Sequence, residues 1–107
     1  MSFLDLFRIP DINSGVNEFR NTSHAVLLDV RTKNEYRSGH VRGSVNLPLQ
    51  NIENAKNLIS DRDKPVFVYC LSGARSRRAV ASLKAMGYTN VRNIGGISSY
   101  RGETIKS

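Results

Sequence analysis

With 107 residues the chain has room for one domain around one core. Its 39% hydrophobic and 23% charged residues exclude a low-complexity or disordered chain and fit an ordinary globular protein. The net charge of +7 raises the question of a nucleic-acid partner. The basic residues are scattered, however, and the densest cluster, Arg75, Arg77 and Arg78, stands beside the only cysteine, where attraction of a small anion accounts for it; no nucleic-acid partner is expected.

The single cysteine excludes an internal disulfide and fits a reducing compartment. One cysteine with only His24 and His40 cannot build a Cys/His zinc site, and no cofactor is indicated. The start of the chain, Met1-Ser2-Phe3-Leu4-Asp5-Leu6-Phe7-Arg8, is apolar but interrupted by Asp5 and lacks a basic leader region. No run approaches the ~20 apolar residues of a membrane span. These features predict a cytoplasmic protein without a membrane partner, folded as one domain over 1–107 with its core at about 9–100.

In chain order, Phe7-Arg8-Ile9-Pro10 reads as a short edge strand, where a proline is tolerated. Residues 14–20 read as a helix with Val16 and Phe19 on one face and Asn13 or Ser14 as cap. Residues 25–29 form a continuous apolar run, the pattern of a strand buried on both faces. A helical turn at 33–38 ends at Gly39. A short strand follows at 45–48, then a helix at 51–59 with Ile52, Ala55, Leu58 and Ile59 on one side. Residues 66–69 are a third buried strand. A helix over 75–86 turns Ala79, Val80, Leu83 and Met86 inward and stops at Gly87. The last strand, 91–94, is broken by Gly95-Gly96. Strands alternating with helices predict a mostly parallel sheet covered on both faces. Sites in such sheets lie at the carboxyl ends of strands, where both Cys70 and Asp29-Val30-Arg31 fall, so the two segments are expected to share one crevice.

Cys70 follows an apolar strand and precedes a glycine-containing loop and a helix start. Backbone N–H groups, the helix N-terminus and the Arg75 guanidinium would all favour thiolate over thiol. A free cysteine is often a small buried hydrophobe, but here its neighbours argue for a nucleophile. Gly73 lets the loop curl its amides around one point. Arg75 offers a fork for an anion. Ser76 is a first-turn donor, whereas Ser72 could simply face water, and at least one of Arg77 and Arg78 reads as solvated helix surface.

The segment Cys70-Leu71-Ser72-Gly73-Ala74-Arg75-Ser76 resembles the active-site loop of rhodanese domains, Cys-x-x-Gly-x-Arg followed by a small residue. Leu28-Asp29-Val30-Arg31, Glu35-Tyr36, Gly39-His40-Val41, Gly43-Ser44, Asn46 and Pro48 are similar to that family's N-terminal signature, and Gly87-Tyr88, Val91 and Gly95-Gly96-Ile97 to its close. The resemblance covers about residues 9–100. It departs after the Gly-Gly pair, where Tyr100 stands in the region of a common Trp, and the last helix is expected to be short.

The resemblance implies a rhodanese-like α/β fold, with a central five-stranded parallel sheet flanked by helices on both faces. It also implies a ping-pong sulfurtransferase. Cys70 takes sulfur from a small anionic donor such as thiosulfate, and the persulfide passes it to a thiol or protein acceptor. The backbone of Leu71, Ser72, Gly73, Ala74, Arg75 and Ser76 would hold the donor and the terminal sulfur, with Arg75 neutralising the donor. Asp29 and Arg31 would brace the loop from behind. His40 reads as structural, and Glu35 and Tyr36 as local packing and capping residues. Two rivals stand beside this reading. A tyrosine-phosphatase-like loop has five residues between Cys and Arg, and this chain has four, with Tyr69 rather than His before the cysteine. Inactive binding modules of this fold usually lack the cysteine, which is present here, though a dedicated relay to a protein partner stays open.

Overall fold

The computed structural model describes residues 9–107. Helix α1, Ile12–Arg20, starts earlier than the sequence indicates, because Asp11 caps it by accepting from the Asn13 amide at 3.0 Å. Its buried residues are Ile12, Gly15 and Val16, with Phe19 packed at the margin. Strand β1, Val26–Asp29, leads into helix α2, Lys33–Ser38. Thr32 and Glu35 close a reciprocal capping box at the start of α2. The two-residue strand β2, His40–Val41, and strand β3, Ser44–Asn46, follow.

The single helix expected at 51–59 is instead a 3-10 segment, Leu49–Asn54, running into a short α3, Ala55–Leu58. Asn51, at φ −111° and ψ 19°, breaks the spiral. The break rotates Leu58 outward, and it is 48% exposed, while Ile52, Ala55 and Ile59 remain buried. Strand β4, Val66–Cys70, is buried throughout, helix α4 spans Ala74–Ala85, and strand β5 runs over Val91–Gly96. Where a short last helix was expected, a 3-10 turn at Ile97–Ser99 follows β5, and then β6, Thr104–Ile105.

The central sheet is wholly parallel, in the order β3-β1-β4-β5. Among the described residues it has four strands, where five were expected. Of the strand expected at 7–10, Phe7 and Arg8 lie outside the described residues, and Ile9 and Pro10 belong to no strand. Strand β2 pairs antiparallel with β6 in a separate small sheet. The side-chain alternation of β4 sorts two cores. Val66, Val68 and Cys70 face α4 with Leu28, Ala79, Leu83 and Tyr88, whereas Phe67 and Tyr69 face α1 with Ile12, Val16, Leu27 and Ile94. The cysteine is thus delivered to the α4 side at the carboxyl end of a central strand.

Gly95 and Gly96 continue β5 rather than ending it, because the sheet needs their missing side chains. A one-residue bulge shifts the register so that Tyr69 pairs with Gly95 and Cys70 with Gly96. Gly96 has an ordinary extended backbone, φ −123° and ψ 140°. A methyl group there would collide with the Leu71 carbonyl and come within 2.5 Å of Ser72 Cα. The loop after Cys70 therefore rests directly on β5. Gly96→Ala is expected to lower the unfolding free energy by about 1–3 kcal/mol, read from the urea midpoint at unchanged slope. A midpoint equal to that of the unaltered chain would show that the loop yields freely.

Candidate active site

Cys70 Sγ sits at the centre of the loop that joins β4 to α4. The residue is only 1% exposed, so water does little to solvate a charge there. The Gly73 amide donates to Sγ at 3.0 Å, and Ser76 Oγ lies 3.4 Å away. Burial pushes the thiol pKa up, but the Ser76 hydroxyl and the amides of Ser76, Gly73 and Ser72 outweigh it, and the pKa falls below the ordinary thiol value. Gly73 makes this possible with φ at +103°, a left-handed conformation that turns its N–H back to the sulfur. The loop's far side is anchored by the Ser98 amide, which donates to the Leu71 carbonyl at 3.1 Å. Leu71 itself is 45% exposed beside the sulfur, and Ser72 and Ala74 are exposed with it.

Arg75 lies in the first turn of α4 but does not present an open fork. Its Nη1 and Nη2 donate to Glu35 Oε1 and Oε2 at 2.7 and 3.0 Å. Glu35 also accepts from the Thr32 amide and hydroxyl, so one carboxylate caps α2 and ties α4 to it. The Arg75 hydrogen bonds draw the Glu35 pKa down to about 2 against the opposing effect of burial. Arg77 and Arg78 are exposed on α4. A depression of about 700 Å³ lies along the outer side of the loop, bordered by Ser72, Gly73, Ala74, Arg77 and residues 9–12; Cys70 does not line it.

Asp29 and Arg31 do not brace the reactive loop. The Asp29 carboxylate accepts from the Arg31 backbone amide at 2.9 Å and from Nη2 at 2.8 Å. Arg31 Nη2 continues to the Gly39 carbonyl at 2.7 Å. Burial works against the Arg31 charge, but Asp29 outweighs it and raises the pKa. The pair therefore fixes the turn before His40. His40 Nδ1 donates to the Tyr36 carbonyl at 2.8 Å and its ring stacks on Tyr36 at 3.7 Å, a packing role. Among the described residues no three His, Cys, Asp or Glu side chains converge to hold a metal.

Asn93 is the site residue that the sequence reading passed over. Its Nδ2 donates to the Gly73 carbonyl at 3.3 Å, and its Oδ1 accepts from Ser76 Oγ at 2.7 Å and the Gly95 amide at 2.9 Å. The signal was present as an amide in a short strand, two residues after Val91, directly before Ile94 and just ahead of Gly95-Gly96.

Comparison with known proteins shows the family to which the chain belongs. Residues 14–103 match the profile of the rhodanese-like domain. The chain is 41% identical over 80 residues to the uncharacterized protein YqhL of Bacillus subtilis, covering 74% of this chain and 63% of that protein. It is 39% identical over 71 residues to thiosulfate sulfurtransferase PspE of Escherichia coli, covering 65% of this chain and 68% of that protein. Among solved structures, a rhodanese with anions from E. coli superposes with a TM-score of 0.72 at 34% identity, covering 78% of this chain and 99% of that one.

The Glu35–Arg75 pair makes stability pH-dependent in a defined window. A carboxylate whose pKa is lowered on folding stabilises the fold above its unfolded value, 4.5, and the contribution is lost as pH falls towards about 2. Glu35→Gln should be less stable than the unaltered chain near neutrality. The gap should narrow in urea titrations from about pH 6 to about pH 3. A gap constant over that range would show that the pair's charge contributes nothing.

Proposed function

From the chain's membership of the rhodanese-like domain family, we propose that it is a sulfurtransferase that moves a sulfane sulfur from thiosulfate or a similar small anionic donor to a thiophilic acceptor through a Cys70 persulfide. The observation that carries this is the convergence of the Ser72, Gly73 and Ser76 amides and the Ser76 hydroxyl on one buried sulfur. The thiolate attacks the outer sulfur of the donor. A sulfur–sulfur bond forms to Sγ, the bond to the sulfonate sulfur breaks, and sulfite leaves with the electron pair. Thiolate and dianion thus become persulfide anion and sulfite dianion. Negative charge moves one atom outward, into the curl of loop amides, where donors fixed in advance stabilise it without reorganisation. The acceptor, a small thiol or a thiol on a protein in a reducing cytoplasm, then attacks the outer sulfur and releases the Cys70 thiolate; neither a nucleic acid nor a membrane takes part.

Arg75 serves this chemistry by holding α4 and the loop against α2, with its positive field reaching the sulfur, since Glu35 engages both ends of its fork. Intact mass after incubation with thiosulfate should show a gain of one sulfur, removed by cyanide and absent in Cys70→Ser. Retention of transfer by Cys70→Ser would sink the proposal. Arg75→Ala should slow persulfide formation and persulfide discharge by similar factors, each roughly tenfold, as the loss of a charge-assisted brace implies. A loss confined to the thiosulfate half-reaction would instead place the guanidinium on the donor.

A further inference from the structure

Ser76 carries one hydroxyl proton and has three partners within reach. Its Oγ lies 2.7 Å from Asn93 Oδ1, 3.0 Å from the Gly73 carbonyl and 3.4 Å from Cys70 Sγ. The two oxygens can only accept, whereas the sulfur donates as a thiol and accepts as a thiolate. One proton cannot serve all three, so the charge on the sulfur decides where it goes. Both competing oxygens have other donors. Asn93 Oδ1 keeps the Gly95 amide at 2.9 Å, and the Gly73 carbonyl keeps the Arg77 amide at 3.1 Å and Asn93 Nδ2 at 3.3 Å. The hydroxyl can therefore turn away from either without leaving a buried acceptor unpaired, which would otherwise cost more than the bond gained. Ser76 is fully buried, so water does not take the proton's place.

We propose that Asn93 is a positioning residue for the Cys70 nucleophile: its Oδ1 holds the Ser76 hydroxyl proton while Sγ is uncharged and releases it to Sγ when the thiolate forms. In the thiol state S–H donates to Ser76 Oγ, and the hydroxyl donates on to Asn93. In the thiolate state the hydroxyl rotates and joins the loop amides on the sulfur. On the sulfurtransferase reading there is a third state. In the persulfide, Sγ is a neutral bridging atom and the charge sits on the outer sulfur, so the hydroxyl returns to Asn93. Stabilisation at Sγ is then present in the state that attacks and withdrawn in the state that is discharged. Asn93 can do this because it lies opposite Val68 in the β4–β5 register, on the α4 face that also carries Cys70.

The pH dependence of Cys70 alkylation by iodoacetamide tests the relay. The variants leave the charges of this region unchanged: Arg75 of α4 acts on the sulfur and is paired with Glu35 of α2. Strand β5 presents Asn93 and two glycines, and β1 presents Leu28, with Val30 just beyond. Ser76→Ala should raise the inflection by about one unit, the loss of a hydrogen bond to a charged acceptor. Asn93→Ala should lower it by about half a unit, because the nearer of the two competitors for the proton is gone and only the Gly73 carbonyl at 3.0 Å remains. The double variant should behave as Ser76→Ala alone. Asn93→Leu, which keeps the Cγ branching of Asn without its hydrogen-bonding groups, repeats the measurement should the alanine variant fail to fold. If Asn93 only props the loop, its removal would raise the inflection, and would do so with or without Ser76; that result overturns the proposal. Alkylation needs no sulfur donor. A chain that thiosulfate leaves unloaded would overturn the sulfurtransferase reading, while the alkylation series would still decide the relay.

Discussion

A negative charge on Cys70 Sγ has almost no access to water, and the rest of the site follows from that constraint. A buried anion must be held by donors already in place. The chain supplies them from its own backbone, with one hydroxyl added from the first turn of α4. Backbone N–H groups carry no opposite charge that could collapse onto the thiolate and quench it as a nucleophile. The Arg75 guanidinium is tied to a carboxylate, so it contributes a field without becoming a contact ion for the sulfur.

Holding amides in a ring demands close backbone approaches, and glycine is placed where they occur. Gly73 takes the left-handed angle that reverses the chain toward the sulfur. Gly96 is needed for a different reason: its backbone angles are ordinary, but the Leu71 carbonyl occupies the space of a side chain. The bulge in β5 sets that glycine opposite Cys70. Loop and strand thus form one rigid piece, which keeps the donors from relaxing when the charge appears.

Three polar knots around the sheet keep its carboxyl ends in register. Asp29 and Arg31 lock the turn at Gly39, and Glu35 joins the cap of α2 to Arg75 in the first turn of α4. Beneath them the Tyr69 hydroxyl accepts from the Val41 amide at 3.1 Å and donates to Ser44 Oγ, whose own proton goes to the Val41 carbonyl at 2.7 Å. Burial, before any other effect, pushes the Tyr69 pKa up, so this hydroxyl keeps its proton. Each knot is fully paired, as buried polar groups must be to stabilise rather than strain a small core.

The sequence by itself determined the strand–helix alternation, the buried strands at β1 and β4, the helix after the loop and the place of the one cysteine between that strand and that helix, because each depends on local composition and spacing. Residues far apart in the chain decided the remainder. The fifth sheet strand did not materialise at Ile9 and Pro10, while the pairing of β2 with β6 joins segments more than 60 residues apart. The break at Asn51 turned Leu58 outward from the face that helical periodicity assigned to it. Arg75 looked like an anion fork until Glu35 was brought against it across 40 residues of chain. Asp29 and Arg31 share the sheet edge with Cys70, yet their side chains serve the other turn. Asn93 became part of the site only because β5 lies beside β4. Hydrophobic period and turn chemistry are written locally, but a hydrogen-bonding partner is chosen by which surfaces the packed sheet brings within 3 Å, and only the tertiary structure makes that choice.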